Sequence, residues 1–159
     1  FGTTVATFAG QSYGAGNMKR MRSVVHIGLV MNGIFALFFT FFMQFGGVYM
    51  LRLFLKEPET IRLGMQMIRM ISIGYLLFVP CEIFSAACRS AGNTLRPMIM
   101  TASGVCAFRV LWIFTAVKLW HRTQVLFACF PISWIITGGM FTLYYLRGGW
   151  AKGLQEADP

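Results

Sequence analysis

Long apolar stretches alternate along the chain with short polar segments, and each stretch is long enough to cross a membrane. Residues 24–43 form a run of 20 positions without Asp, Glu, Lys or Arg. A helix rises about 1.5 Å per residue, so this run spans about 30 Å, the hydrocarbon thickness of a bilayer. The pattern predicts an all-α integral membrane protein, a helical bundle. It consists of the end of one transmembrane helix plus four complete spans, at residues 1–16 (partial), 24–43, 62–88, 97–117 and 125–146.

The polar segments predict where the chain leaves the membrane. A basic loop is expected at residues 18–22, a short interfacial helix at 46–55, and an aqueous turn at 57–60. Residues 88–96 form a polar loop with a turn at Gly92 and Asn93, after which Pro97 fits the first position of a new helix. A further aqueous loop, with Trp120 and His121, is expected at residues 118–124.

Basic residues are unequally distributed between the two predicted faces. One face carries seven, and the other carries five that are offset by Glu57 and Glu59. The positive-inside rule therefore favours the first face, and with it a tail at 147–159, as cytoplasmic. Tyr144, Tyr145 and Trp150 predict an aromatic belt there. The basic residues of the two faces are Lys19, Arg20, Arg22, Arg89, Arg96, Arg147 and Lys152, against Arg52, Lys56, Arg62, Lys118 and Arg122.

Composition excludes several classes of protein. Hydrophobic residues make up 57% and charged residues 12% of the chain, which leaves too little polar surface for a soluble domain. The net charge of +9 falls between apolar runs, so it predicts contacts with membrane lipids and not nucleic acid. Four cysteines without a CxxC pair, and two isolated histidines, predict neither a metal site nor an enzyme active site. Since the chain begins with Phe1, we expect a fragment that lacks its N-terminal part.

Two charged residues lie deep in the predicted spans. Glu82 is about 10 Å along the helix from the loop that begins at Arg89, and Arg109 is about 18 Å from the same side. Because an isolated charge in the bilayer is costly, each should face the bundle interior or a wet cavity. Glu82 is the candidate carboxylate for a coupling ion or a cationic substrate, with Arg109 as its candidate charge partner. A purely structural ion pair of Glu82 with Arg109, or with Arg89, is the alternative.

Proline residues interrupt two of the predicted spans. Pro80 removes a backbone donor two residues before Glu82, and Pro131 lies in the last span. Both predict helix kinks. His26 and Asn32 are the polar members of the span at 24–43, and His26, next to the basic loop, is expected at the interface.

Several segments together resemble the C-terminal half of a multidrug and toxic compound extrusion (MATE) transporter. They are a helix end followed by a basic loop, a loop between spans, a span containing Arg109, and the closing residues. In sequence, the helix end reads TFAGQSYGAGN at 7–17, the loop reads RSAGNTLRPM at 89–98 and the closing residues read LRGGW at 146–150. The span containing Arg109 is followed by FPISW at 130–134. The resemblance implies a twelve-helix, two-lobe protein, of which residues 1–159 are a partial C-terminal lobe. Several members carry a cation-binding Asp about one turn before Glu82, where this chain has Leu77-Phe78-Val79, so the role passes to Glu82 only as a candidate.

The resemblance implies secondary active transport. The expected activity is export of cationic drugs or organic compounds by antiport with H⁺ or Na⁺, across a plasma membrane and most simply the bacterial inner membrane. No cofactor other than the coupling ion is expected, and the partner is the missing N-terminal lobe. Two alternatives remain open: a lipid-linked or polysaccharide flippase of the same superfamily, and a non-transporting membrane scaffold subunit.

Overall fold

A computed structural model describes residues 1–120 and 123–148. These residues form seven α-helices and two π-helical segments, and none of them is in a strand. In chain order they are α1 (Gly2–Gly14), α2 (Met18–Phe54), α3 (Pro58–Ser90), α4 (Leu95–Thr101), π1 (Ala102–Ala107), α5 (Phe108–Trp112), π2 (Ile113–Val117), α6 (Lys118–Trp120) and α7 (Thr123–Leu146).

Four helical stretches are long and apolar enough to cross a membrane. They are Met18–Phe54, Pro58–Ser90, Leu95–Ala116 and Gln124–Leu146. The third of these, called here the π-containing span, joins α4 to most of π2. The predicted all-α membrane bundle, with the end of one helix followed by four spans, is confirmed.

Helix α2 is longer than predicted at both ends. The Asn17 side chain accepts a hydrogen bond from the Arg20 backbone N–H at 3.0 Å, so the helix begins at Met18 and absorbs the expected basic loop. The predicted break before residue 46 is also wrong. Gly47 is buried against Met65 of α3, and α2 continues through this contact to Phe54 without a separate interfacial helix.

Helix α3 is the centre of the bundle and contacts α1, α2 and α7. It begins at Pro58, whose missing N–H costs nothing in a first turn. It ends at Ser90, two residues beyond the predicted span. The turn expected at Gly92 is confirmed: Gly92 has a φ of 83°, and the Asn93 N–H donates to the Cys88 carbonyl at 3.2 Å. The loop is therefore shorter than expected, and α4 begins at Leu95, which makes Pro97 its third residue.

The π-containing span differs from the uninterrupted helix that its composition predicts. Two π-helical segments flank α5, which carries Arg109. Residues 118–120 are helical, although an aqueous loop was expected from 118. The predicted positions of His121, Trp150 and Lys152, and most of the tail, lie outside the described residues.

The main core lies at the end of the bundle where α1 and α3 end and α2 and α4 begin, called here the basic end. Small residues on α3 let three other helices approach it closely, as the spacing of apolar bundles requires. Cys81, Cys88 and Cys129 are buried, while Cys106 is exposed. The buried cluster consists of Val5, Ala9, Met21, Val25, Cys81, Ile83, Phe84, Ala86, Ala87, Cys88, Ala91 and Phe141.

Candidate functional site

Glu82 lies where α1, α2 and α3 meet. The Asn32 Nδ2 group of α2 donates a hydrogen bond to Glu82 Oε2 at 3.3 Å. Glu82 Oε1 faces α1, since a Cβ added to Gly2 would lie 2.9 Å from it. Asn32 is buried and Glu82 is half-buried. The carboxylate is therefore held at a three-helix junction by a neutral amide.

The predicted ion pair between Glu82 and Arg109 is absent, and so is the alternative pair with Arg89. Among the described residues the ion pair within 4.0 Å joins Arg62 to Glu59 on the opposite end of α3. Arg89 Nη1 donates to Ser85 Oγ of its own helix at 2.6 Å. Both predictions were wrong about direction, because distance along the chain does not say towards which neighbouring helix a side chain points.

Arg109 lies against α7. Its Nε donates to Ser133 Oγ at 3.2 Å, and its guanidinium carbon is 4.4 Å from the centre of the Phe130 ring. The Trp134 ring is 5.8 Å away. One hydrogen bond to a hydroxyl and two cation–π contacts thus stabilise the guanidinium in this helix interface without a carboxylate partner.

An apolar groove of about 510 Å³ runs between α2 and α3, and we call it the α2–α3 groove. Asn32 lies in its wall, so one side chain belongs both to the groove and to the hydrogen bond with Glu82. Thr40 Oγ1 donates to the Ser72 carbonyl at 2.9 Å, which leaves few free polar groups. The lining residues are Phe1, Asn32, Phe35, Ala36, Phe39, Thr40, Met43, Met67, Ile68, Ile71, Ser72 and Tyr75.

The two prolines occupy helix interiors, as the sequence indicated. Pro80 lies within α3 and Pro131 within α7. Pro131 also packs against α3, because a Cβ on Gly74 would be 3.0 Å from the Pro131 Cβ. Whether either proline bends its helix stays a prediction.

Asn32 is the residue of this site to which sequence reasoning gave no role. Its signal was present, as the one amide in a span whose other named polar member is His26. A lone Asn in such a span has many structural uses, however, and only the packing of α2 on α3 shows that it meets the carboxylate.

Comparisons with known proteins agree on one family. A family model described as MatE matches residues 1–115. The probable multidrug resistance protein YoeA of Bacillus subtilis is 29% identical over 109 residues, which cover 69% of this chain and 24% of YoeA. The probable multidrug resistance protein NorM of Thermotoga maritima is 25% identical over 156 residues, or 96% of this chain and 33% of NorM.

A second Bacillus subtilis protein gives the same result. The probable multidrug resistance protein YpnP is 26% identical over 150 residues, which cover 94% of this chain and 33% of YpnP. The chain therefore spans only about a quarter to a third of the length of these curated relatives.

Proposed function

Because the chain belongs to the MATE family, we propose that it forms part of the C-terminal lobe of a multidrug efflux transporter. The transporter exports organic cations in exchange for H⁺ or Na⁺. The names of the three relatives support drug resistance as the biological output and favour it over a flippase. Family members are transporters rather than enzymes, so we propose no catalytic activity for this chain.

The hydrogen bond between Asn32 and Glu82 is the observation that carries this proposal. A carboxylate in a membrane span needs a counter-charge or a proton, and the described residues offer Glu82 only a neutral amide. H⁺, Na⁺ or an organic cation can each supply the missing charge. Two cations that compete for one carboxylate replace each other, and this is the chemistry that antiport requires.

The α2–α3 groove supports an organic substrate. Its volume of about 510 Å³ is within the range of small-molecule sites, about 300–1,000 Å³. Phe35, Phe39 and Tyr75 supply aromatic surface that attracts flat cations through stacking and cation–π contacts. Asn32 at its wall places the groove next to the carboxylate, so a cation in the groove is drawn towards Glu82.

We place this transporter in the plasma membrane, and in a bacterium in the inner membrane. The basic end of the bundle faces the cytoplasm under the positive-inside rule, and the C-terminus lies on that side. The missing N-terminal lobe is its partner across the substrate cleft, and the membrane lipids surround both lobes.

Ion-driven efflux by the full-length protein tests the role of Glu82. Purified protein is reconstituted into vesicles, and export of a fluorescent organic cation is measured under an imposed H⁺ or Na⁺ gradient. Glu82→Gln keeps the shape of the side chain but removes its charge, so we expect export to fall to the level of empty vesicles. Glu57→Gln, in the exposed turn before α3, is the matched control and should export like wild type.

Comparing export under the H⁺ gradient with export under the Na⁺ gradient identifies the coupling ion. A folding check distinguishes a loss of transport from a loss of folded protein. Each variant must elute from size-exclusion chromatography as wild type does. Unchanged ion-driven export by folded Glu82→Gln protein would remove this carboxylate from the mechanism.

A further inference from the structure

A second cavity, of about 530 Å³, opens at the basic end between the beginning of α2 and the end of α7. Arg22 and His26 lie in its wall one turn apart on the same face of α2. Leu29 follows on that face, and Phe84 of α3 and Tyr145 of α7 complete the apolar part. The cavity therefore has a cationic portion near the helix start and an apolar portion further in.

The cationic portion has no acidic neighbour among the described residues. The three acids with described positions lie elsewhere: Glu57 and Glu59 at the opposite end of the bundle, and Glu82 at the α1–α2–α3 junction. Arg22 and His26 are both exposed. Five further basic residues belong to the same end of the bundle but do not line the cavity: Lys19, Arg20, Arg89, Arg96 and Arg147. An anion is thus the complement of this surface.

The apolar portion is preformed by stacked rings. The centroids of Phe84 and Tyr145 are 4.6 Å apart and the ring planes differ by 20°. Phe84 belongs to the buried core, so the ring pair is fixed from beneath. A ligand with hydrocarbon directly below an anionic group matches the order in which the two portions follow α2 into the membrane.

We propose that this cavity binds the phosphate headgroup of an anionic phospholipid. Arg22 donates hydrogen bonds to the phosphate, and His26 contributes a further donor one turn deeper. The first part of an acyl chain lies on Leu29 and on the Phe84–Tyr145 ring pair. The depth fits, since His26 is eight residues into α2, or about 12 Å from its start, where headgroups give way to hydrocarbon.

Lipid retention by the full-length protein tests this site. Native mass spectrometry of protein from mixed micelles compares phosphatidylglycerol with phosphatidylcholine of the same acyl chains. We expect wild type to retain phosphatidylglycerol preferentially. Arg22→Gln should reduce that retention about five-fold, the effect of about one basic residue at an anionic surface. Lys19→Gln removes the same charge from the same helix end but outside the cavity, and should change retention little.

Two results in this assay would overturn the proposal. Equal retention of the two lipids by wild type would show that the cavity does not select an anion. An equal loss in Lys19→Gln and Arg22→Gln would show that general surface charge, and not the cavity, holds the lipid.

A crosslinking measurement identifies the occupant directly. Replacing Leu29 by p-benzoylphenylalanine places a photoreactive group in the apolar portion of the cavity. Irradiation in phosphatidylglycerol-containing nanodiscs should give a lipid adduct on the full-length protein. An adduct to another segment of the same protein would show that a helix fills the cavity, and would overturn the lipid assignment.

Discussion

Gly104 allows the π-containing span to approach α7 closely, and replacing it by Ala should destabilise the bundle. A Cβ at this position would lie 2.4 Å from Thr137 Oγ1, 3.2 Å from Thr137 Cβ and 3.5 Å from Thr137 Cα. Thr137 is fully buried, and its hydroxyl donates to the Ser133 carbonyl at 2.7 Å. The Thr137 hydroxyl cannot rotate away from the added Cβ without losing its bond to Ser133. Rotation would also leave the 3.2 Å contact between the added Cβ and Thr137 Cβ unchanged.

The expected magnitude follows from two opposing terms. Overpacking a well-packed contact costs about 1–3 kcal/mol, and the greater helix preference of Ala over Gly returns about 1 kcal/mol. The net cost of Gly104→Ala is therefore up to about 2 kcal/mol in the free energy of unfolding, and the close approach to the fixed Thr137 side chain favours the upper part of that range. Gly139→Ala in α7 is the matched control, because a Cβ there meets nothing within 4 Å among the described residues. Gly139→Ala gains the greater helix preference of Ala without adding a steric clash.

Thermal unfolding of the full-length protein in detergent, followed by size-exclusion fluorescence, measures both variants. Gly104→Ala should lower the midpoint by several degrees, whereas Gly139→Ala should leave it unchanged or raise it slightly. In a Thr137→Ala background the cost of Gly104→Ala should shrink, since Oγ1 is gone. Equal midpoints for the two glycine variants, or an unchanged cost without the Thr137 hydroxyl, would refute the steric reasoning.

The remaining predictions concern the turn after α3 and the partly buried Arg109. Gly92→Ala should cost about 1 kcal/mol, because Gly92 has a φ of 83° and its Cβ would meet no neighbour, so only backbone strain is added; Gly14→Ala, at an ordinary φ, is the control in the same melting assay. Arg109→Lys should lower the melting midpoint despite keeping the charge, because Lys lacks the Nε donor to Ser133 and the planar group that stacks on Phe130; a midpoint equal to wild type would contradict that account.

The spans were predictable because their composition alone decides that they enter the membrane. The run at residues 24–43 has one stable location, and its helix follows from the need to satisfy backbone groups without water. Helix ends were less predictable. Whether α2 begins at Met18 depends on one bond from Asn17, and whether it continues past Gly46 depends on packing against Met65.

The candidate site was predictable in its acid and not in its partners. Glu82 stands out because ionisable groups are rare in apolar spans. Its contact with Asn32 depends on how α1 and α2 pack on α3. That packing cannot be read from the sequence of α3 alone. The π-helical segments beside Arg109 could not be predicted for a different reason. A π-helix differs from an α-helix in its backbone hydrogen bonds, and these residues carry no sequence pattern that marks the change.

The length of α2 makes the protein sensitive to the thickness of its membrane. Thirty-seven helical residues extend about 55 Å, whereas a bilayer measures about 30 Å across its hydrocarbon core and about 40–45 Å with its headgroup regions. Only a tilt of about 40°, the upper end of what spanning helices adopt, reduces the vertical extent to about 42 Å, and any smaller tilt leaves a mismatch. The basic first turn fixes one end among headgroups, so the mismatch falls on the other end, where Leu53 and Phe54 are 78% and 85% exposed. A thicker bilayer would cover that apolar tip and a thinner one would uncover it.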